Sequence, residues 1–270
     1  MEAQRIGVIA GGGQFPCLIV EEAQQRGMEV TVVGIKGLAS DQLQRLTPHR
    51  TYWVEVGELD KLINILKKNG VSQAMMAGKV SHSLVYERVK IDHRLQAILK
   101  ELKDRKTDSL LRGIADTLTR EGIQVVDSTT FLSHYLVSPG ILTERAPTPE
   151  EMEDIRFGRQ IAREVARLDI GQTVVVKGKA VIAVEGMEGT DELIRRGGKI
   201  GGQGVVVVKV SKPQQDMRFD VPVVGLNTIE TMAEVGASAL AVDAGKTLFF
   251  DKEKLLSRAN GENIAVIALS

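Results

Sequence analysis

Short continuous apolar runs recur along the chain, separated by stretches in which apolar residues return every third or fourth place. In RIGVIAGGGQFPCLIVEEAQQRGMEVTVVG the first run holds Ile6, Val8 and Ile9, and the second is VTVVG. Runs of this size without alternation are what strands buried on both faces show. Between them Leu18, Ile19 and Ala23 make one helical stripe, with Pro16 in the first turn, where its missing N–H is not needed, and Gly27 at the end. The same alternation continues through TYWVEV, a helix near 58–68, AMMAG, helices near 92–103 and 108–120, and IQVVDS. Strands alternating with helices predict a Rossmann-like, doubly wound parallel sheet in a domain spanning 1–134.

LVSPGILTERAPTPEE then loses regular periodicity, and residues 135–148 read as a linker. Thr148 predicts an N-cap, with Pro149 at the first helical position and Glu150 and Glu151 near the positive end of a helix reaching about Leu168. Beyond it, QTVVVKGKAVIAVEG reads as two strands around the Lys177-Gly178-Lys179 turn. A short helix near 190–196, with Thr190 as its cap, the strand 205–210 and a helix near 228–236 follow. ALAVDAGKTLFFD reads as a second hairpin, and KEKLLSRA and NIAVIAL as the last helix and strand. Residues 149–270 therefore predict an α+β domain with a mixed sheet.

The chain has 270 residues, with 35 Lys plus Arg against 35 Asp plus Glu. This even balance argues against wrapping nucleic acid through bulk charge, and 4% aromatics leave few platforms for stacking single-stranded bases. Cys17, the single cysteine, has no disulfide partner, and the start lacks a secretory layout, so a cytosol-like compartment is expected. No apolar run approaches the length of a membrane span, whereas peripheral contact with a membrane stays open.

Gly11-Gly12-Gly13, between a strand and a helix start, is of the kind that admits a phosphate to backbone N–H groups; it also suits a tight turn with no ligand. The dinucleotide fingerprint is incomplete: Pro16 stands where the third glycine belongs, and Gly34-Ile35-Lys36 where an acidic residue should hold a ribose. A nicotinamide or flavin cofactor is not expected. DAGKT at 243–247 echoes a P-loop ending, but Leu240 occupies the place of the required glycine, so it reads as a turn. His49, His82, His93 and His134 lack metal-ligand spacing, and no G-x-S-x-G elbow occurs. Lys79 follows the AMMAG strand at the rim where open α/β sheets bind ligands, within reach of a phosphate or simply solvated.

Two later loops concentrate charge. In VEGMEGTDELIRR, Asp191 and Glu192 suit an ordinary helix start, whereas Glu185 and Glu188 have no such local role and are hard oxygen donors suited to Mg²⁺. In VVVVKVSKPQQDMRFDVPVVG, Lys209, Lys212, Gln215, Asp216, Arg218 and Asp220 crowd the mouth of a valine strand. Lys209, Lys212 and Arg218 suit a diphosphate, and Asp216 or Asp220 suits binding Mg²⁺ or orienting water.

IAGGGQFP, MAGKV, DSLLRGIADTLTREGIQVVDST, VEGMEGTDELIRR and above all KPQQDMRFDVPVVG resemble, in the same order over essentially the whole chain, the LpxI-type UDP-2,3-diacylglucosamine pyrophosphatases. The resemblance implies hydrolysis of UDP-2,3-diacylglucosamine to 2,3-diacylglucosamine 1-phosphate and UMP in lipid A biosynthesis, with a divalent cation such as Mg²⁺ and attack on the sugar-side phosphorus. It also implies a homodimer working peripherally at the cytoplasmic face of the inner membrane, with substrate between two domains. The aspartate of the R-x-D-x-P element, here Asp220, is implied as the catalytic residue. From the charged loops themselves, Asp220 is expected to bind Mg²⁺ or align the water, with Glu185, Glu188 or Asp191 as further ligands. Gly11, Gly12, Gly13 and Gln14 are assigned to the UDP part, and Lys79, Thr190, Lys209, Lys212, Gln215 and Arg218 to the substrate. Two other classes fit the same residues: another UDP-sugar-dependent enzyme such as a transferase, and a nucleotide-binding module without catalysis.

Overall fold

The computed structural model describes residues 4–80, 90–104, 106–213 and 215–270. His82, one of the four histidines without metal-ligand spacing, and Gln214 of the KPQQDMRFDVPVVG stretch lie outside them. The chain divides into two compact units, one of Met1–Leu132 with Asp216–Asp220 and one of Ser133–Gln215 with Val221–Ser270.

The first unit runs β1 (Arg5–Ala10), α1 (Phe15–Gln25), β2 (Glu29–Ile35), α2 (Gln42–Leu46), β3 (Thr51–Val54), α3 (Leu59–Lys68), β4 (Gln73–Ala77), α4 (His93–Glu101), α5 (Thr107–Arg120) and β5 (Gln124–Val125). Its five strands are parallel in the order β3-β2-β1-β4-β5. The order reverses between β1 and β4, so the unit is doubly wound as the alternation of the sequence indicates. Ile9, Val33, Ala74 and Met76 face a core shared with Leu62, Ile63, Leu66, Ile98 and Leu118 from α3, α4 and α5. Their strand neighbours Val8, Val32 and Met75 are also sealed, since alternate residues point to opposite faces and both faces are covered.

The second unit holds β6 (Gly140–Ile141), α6 (Pro149–Arg167), β7 (Thr173–Lys177), β8 (Ala180–Val184), α7 (Thr190–Gly201), β9 (Val206–Lys209), β10 (Val223–Val224), α8 (Leu226–Glu234), β11 (Ala239–Asp243), β12 (Leu248–Phe249), α9 (Lys252–Gly261) and β13 (Ala265–Leu269). Six strands form a mixed sheet in the order β6-β13-β11-β9-β7-β8, with the β13-β11-β9 centre parallel and both flanks antiparallel. The valines alternate sides. Val175 and Val207 pack with Leu193, Ile229 and Leu255 of α7, α8 and α9. Val174, Val176, Val206 and Val208 pack with Ile155, Ala162 and Ala166 of α6. At the start of α6 the Thr148 hydroxyl accepts from Glu151 N–H while the Glu151 side chain accepts from Thr148 N–H, a complete capping box.

Several expectations change. Residues 135–148 are built into the second unit: Val137 is buried in its core and β6 pairs with β13. The predicted second hairpin does not form, because both edges of β11 are already taken by β9 and β13. The turn after β11 is held instead by Val137, whose C=O accepts from Gly245 N–H and whose N–H donates to Thr247 C=O. β12 then pairs in parallel with β10 in a separate two-stranded sheet. α7 runs on to Gly201, and Gly189 with φ 84° occupies the N-cap place expected of Thr190.

Candidate active-site elements in the two units

In the first unit, Gly11 N–H donates to Ala77 C=O at 2.7 Å, and Gly12 N–H donates to Lys79 C=O at 2.8 Å, with Lys79 N–H returning to Gly12 C=O at 2.8 Å. Two strand-end loops are thus stitched together at the β1–β4 reversal, where open α/β sheets take ligands. The approach needs glycine on both sides. A Cβ at Gly11 would lie 2.7 Å from Lys79 O, and one at Gly78, which has φ +91°, would lie 2.6 Å from Gly12 O. The phosphate-cradle expectation is corrected in part: the Gly11 and Gly12 N–H groups are spent on the neighbouring loop. Gly13 and Gln14 stand exposed ahead of α1, and Lys79 is exposed beside them.

The pentapeptide Asp216–Asp220 belongs to this unit although the expected boundary put it with 149–270. Ser128, fully buried, fastens it. Its N–H donates to Met217 C=O at 3.0 Å, and its Oγ lies 2.7 Å from Met76 O and 2.6 Å from Arg218 O. Phe219 packs against the core formed with α3, α4 and α5. Arg218 grips Asp216 with Nε to Oδ1 at 2.9 Å and Nη2 to Oδ2 at 2.7 Å, and Asp220 N–H donates to Asp216 C=O at 2.9 Å. The paired guanidinium, opposing some desolvation, holds the Asp216 carboxyl below its ordinary pKa, and Arg112 of α5 adds to the effect. Arg218, expected on the diphosphate, therefore shapes its own segment. Met76 and Ala77 are consecutive in β4, so the segment carrying Asp220 and the glycine turn are fastened to the end of one strand.

In the second unit Lys209 Nζ donates to Thr190 Oγ1 at 2.7 Å, and Thr190 Oγ1 donates to Glu185 Oε1 at 2.8 Å. Gln172 N–H donates to Glu185 Oε2 at 3.0 Å. Glu185 and Lys209 are each 6% exposed. Burial alone would raise the Glu185 pKa, but the Lys209 charge and the hydrogen bonds overcome it and leave the carboxyl below its ordinary value. Lys212 pairs with Asp169 at 2.8 Å, and its N–H donates to Gln215 Oε1 at 2.6 Å. Glu188 is bound by Arg196 and by Gly186 N–H, and Asp191 accepts from Asn227 at 2.6 Å and Thr228 at 3.0 Å, tying α7 to α8.

These partners decide the fit to a divalent ion. Among the described residues no three His, Cys, Asp or Glu side chains gather as an ion would need. Glu185, Glu188 and Asp191 serve a buried lysine, an arginine and a helix junction, and do not fit as ligands. Asp220 fits as a single carboxylate of the sort Mg²⁺ uses alongside substrate phosphates. Sequence reasoning missed Ser128, whose signal was slight: a serine after the last parallel strand in VVDST. It also missed the buried Ser211–Asp243 pair at the strand ends of the second sheet, which the half-buried Arg159 of α6 joins.

A doubly wound parallel unit with a glycine turn at its reversal, followed by a mixed α/β unit that returns five residues to the first, defines a two-part α/β protein. Family models match each part: the LpxI N-terminal domain over residues 5–135 and the LpxI C-terminal domain over residues 138–267. A Caulobacter vibrioides protein named UDP-2,3-diacylglucosamine pyrophosphatase LpxI is 30% identical over 277 residues, covering 98% of this chain and 98% of its own. The chain belongs to the LpxI family. Among solved structures, a Thermus thermophilus UDP-glucose 4-epimerase in complex with NAD is similar at 12% identity, covering 98% of this chain and 86% of that one, with a TM-score of 0.35. The biotin carboxylase subunit of pyruvate carboxylase gives 10% identity, 69% and 38% coverage and a TM-score of 0.27. Likeness this slight carries no argument about fold or ligand.

Proposed function

We propose that this protein hydrolyses the diphosphate of UDP-2,3-diacylglucosamine to 2,3-diacylglucosamine 1-phosphate and UMP, a step of lipid A biosynthesis. Family membership over the whole chain supports the substrate. The observation that carries the chemistry is the joint fastening of the Asp220 segment and the glycine turn to the end of β4.

Cleaving a phosphoric anhydride makes few covalent demands on a protein; it needs a placed water and neutralised charge. Asp220 orients the water and takes its proton. The water oxygen bonds to the sugar-side phosphorus as the bond from that phosphorus to the bridging oxygen breaks, and UMP leaves with the bridging oxygen. Gly13 and Gln14 border the UDP part, and Lys79 offers its ammonium to the phosphates. Lys209 and Lys212 each have an acidic neighbour in their own unit and so are balanced pairs rather than bare cations. Asp220 would hold a divalent cation on the protein side, and that cation would supply charge neutralisation on the diphosphate. The two acyl chains of such a substrate bring a lipid surface with them, which supports work at the cytoplasmic membrane face; no helix among the described residues is long and apolar enough to cross a membrane. The homodimer rests on the family resemblance.

Incubation of the protein with UDP-2,3-diacylglucosamine in ¹⁸O-water tests this reading by mass spectrometry. UMP should appear without any acceptor, and the label should enter the sugar phosphate. Label in UMP would overturn sugar-side attack, and absence of product would overturn the function. Asp220→Asn should abolish turnover and retain binding of the UDP-sugar.

A further inference from the structure

Ser128 is placed to fix the position of a residue far along the chain. It is fully buried, it follows the last parallel strand of the first unit, and its single hydroxyl hydrogen is shared between two carbonyl acceptors, Met76 O at 2.7 Å and Arg218 O at 2.6 Å. One acceptor lies in β4, the strand whose next residue takes the Gly11 N–H. The other lies two residues before Asp220. The backbone N–H of Ser128 separately holds Met217. A buried hydroxyl bridging two main-chain carbonyls is more than a packing group, because the Met76 carbonyl needs a donor in a buried place and the half-buried Arg218 carbonyl takes the same one.

Other contacts fix the shape of the segment without fixing where it docks. The Arg218–Asp216 pair closes the turn on itself. Phe219 enters an apolar core, which is non-directional and tolerates sliding. Arg112 and Asp116, one helical turn apart on α5, act electrostatically on Asp216 and Arg218 respectively, and give charge complementarity over a longer range. The Ser128 bonds, by contrast, tie the segment directionally to β4 and to the turn after β5.

We infer that Ser128 is a positioning residue for hydrolysis: its hydroxyl sets the register of the Asp216–Asp220 segment on the end of β4, and so holds Asp220 in line with the bond to be cleaved. The inference rests on the function proposed above. Loss of the hydroxyl leaves the Met217 bond, the Arg218–Asp216 pair and the Phe219 packing in place, so the segment stays docked but shifts.

The test compares wild type with Ser128→Ala, Ser128→Cys and Asp220→Asn, measuring kcat, KM for UDP-2,3-diacylglucosamine, and Tm. Well below Tm, Ser128→Ala should lower kcat by roughly 10- to 100-fold, the size expected when a reacting group is misplaced by about an ångström. KM should stay within about twofold, because the UDP part and the phosphates are met by Gly13, Gln14 and Lys79, which lie outside the shifted segment. A merely structural serine would lower Tm and leave kcat per folded molecule unchanged. Ser128→Cys fills nearly the same volume with only a weak donor and should show the same split, which decides the matter if the alanine variant does not fold. Wild-type kcat in every folded variant of Ser128, with Asp220→Asn inactive, overturns this inference alone. A wild-type protein without hydrolysis overturns the function and the inference together.

Discussion

Glu185 stands at the end of β8 with its carboxylate turned toward a buried ammonium. Replacing it with glutamine keeps the size and leaves Lys209 without its counter-charge, so the folded state should lose roughly 3 kcal/mol, measured by urea unfolding at neutral pH. The sign of the pH dependence follows from the lowered carboxyl pKa. The stabilisation is whole above the unfolded glutamate value of about 4.3 and is lost as pH falls through the lower folded value. Wild-type urea midpoints should therefore drop more steeply than those of Glu185→Gln below about pH 4. The sequence marks Glu185 as unusual because no local need explains a carboxylate there. It does not show that Thr173 pairs with Lys209 in the sheet, which brings that lysine to the same strand-end edge. A residue with a distant structural partner and a metal ligand look alike until the register is known. Asp220 differs, since its neighbours Arg218 and Pro222 make a recognisable element.

At the level of helices and strands, legibility follows how local the cause is. The start of α6 is written in four adjacent residues, and Thr148→Ala, which removes its capping box, should cost about 1 kcal/mol in unfolding free energy. The end of α7 is not local. Gly197-Gly198 looks like a stop signal, yet the helix passes through it because neighbouring elements press close: a Cβ at Gly198 would sit 2.3 Å from the Val235 Cβ. Gly198→Ala should thus destabilise by roughly 1–3 kcal/mol, outweighing the gain of about 1 kcal/mol in helix propensity, read as a fall in Tm. The hairpin expected at 239–251 failed for a related reason. Turn chemistry was read correctly at Gly245, which has φ +68°, but whether β11 keeps a vacant edge depends on β9 and β13, which the local pattern does not contain. The five-residue α2 shows too short a stripe to be read at all.

For the molecule as a whole, the predicted class holds: a doubly wound parallel part and a mixed α/β part, with Rossmann-like alternation visible because strands buried on both faces read as apolar runs. Glu185, Glu188 and Asp191 of the second unit are spent on its own cohesion, so under the proposed function a divalent ion would contribute to turnover and not to folding. Chelation with EDTA should abolish hydrolysis while leaving Tm within roughly a degree of its value in Mg²⁺, whereas a structural ion would shift it by linkage. Calorimetry beside the activity assay checks both halves of that expectation.

The chain visits its first part, departs, and comes back for five residues before departing again. Chimeras between relatives expose what that itinerary demands. Exchanging everything up to residue 132 would graft a foreign strand end beneath a native Asp-Met-Arg-Phe-Asp loop, and the hybrid should recover its rate only when that pentapeptide travels with the donor's amino-terminal half. Recombination can therefore shuffle this protein as two pieces only if one of them is discontinuous.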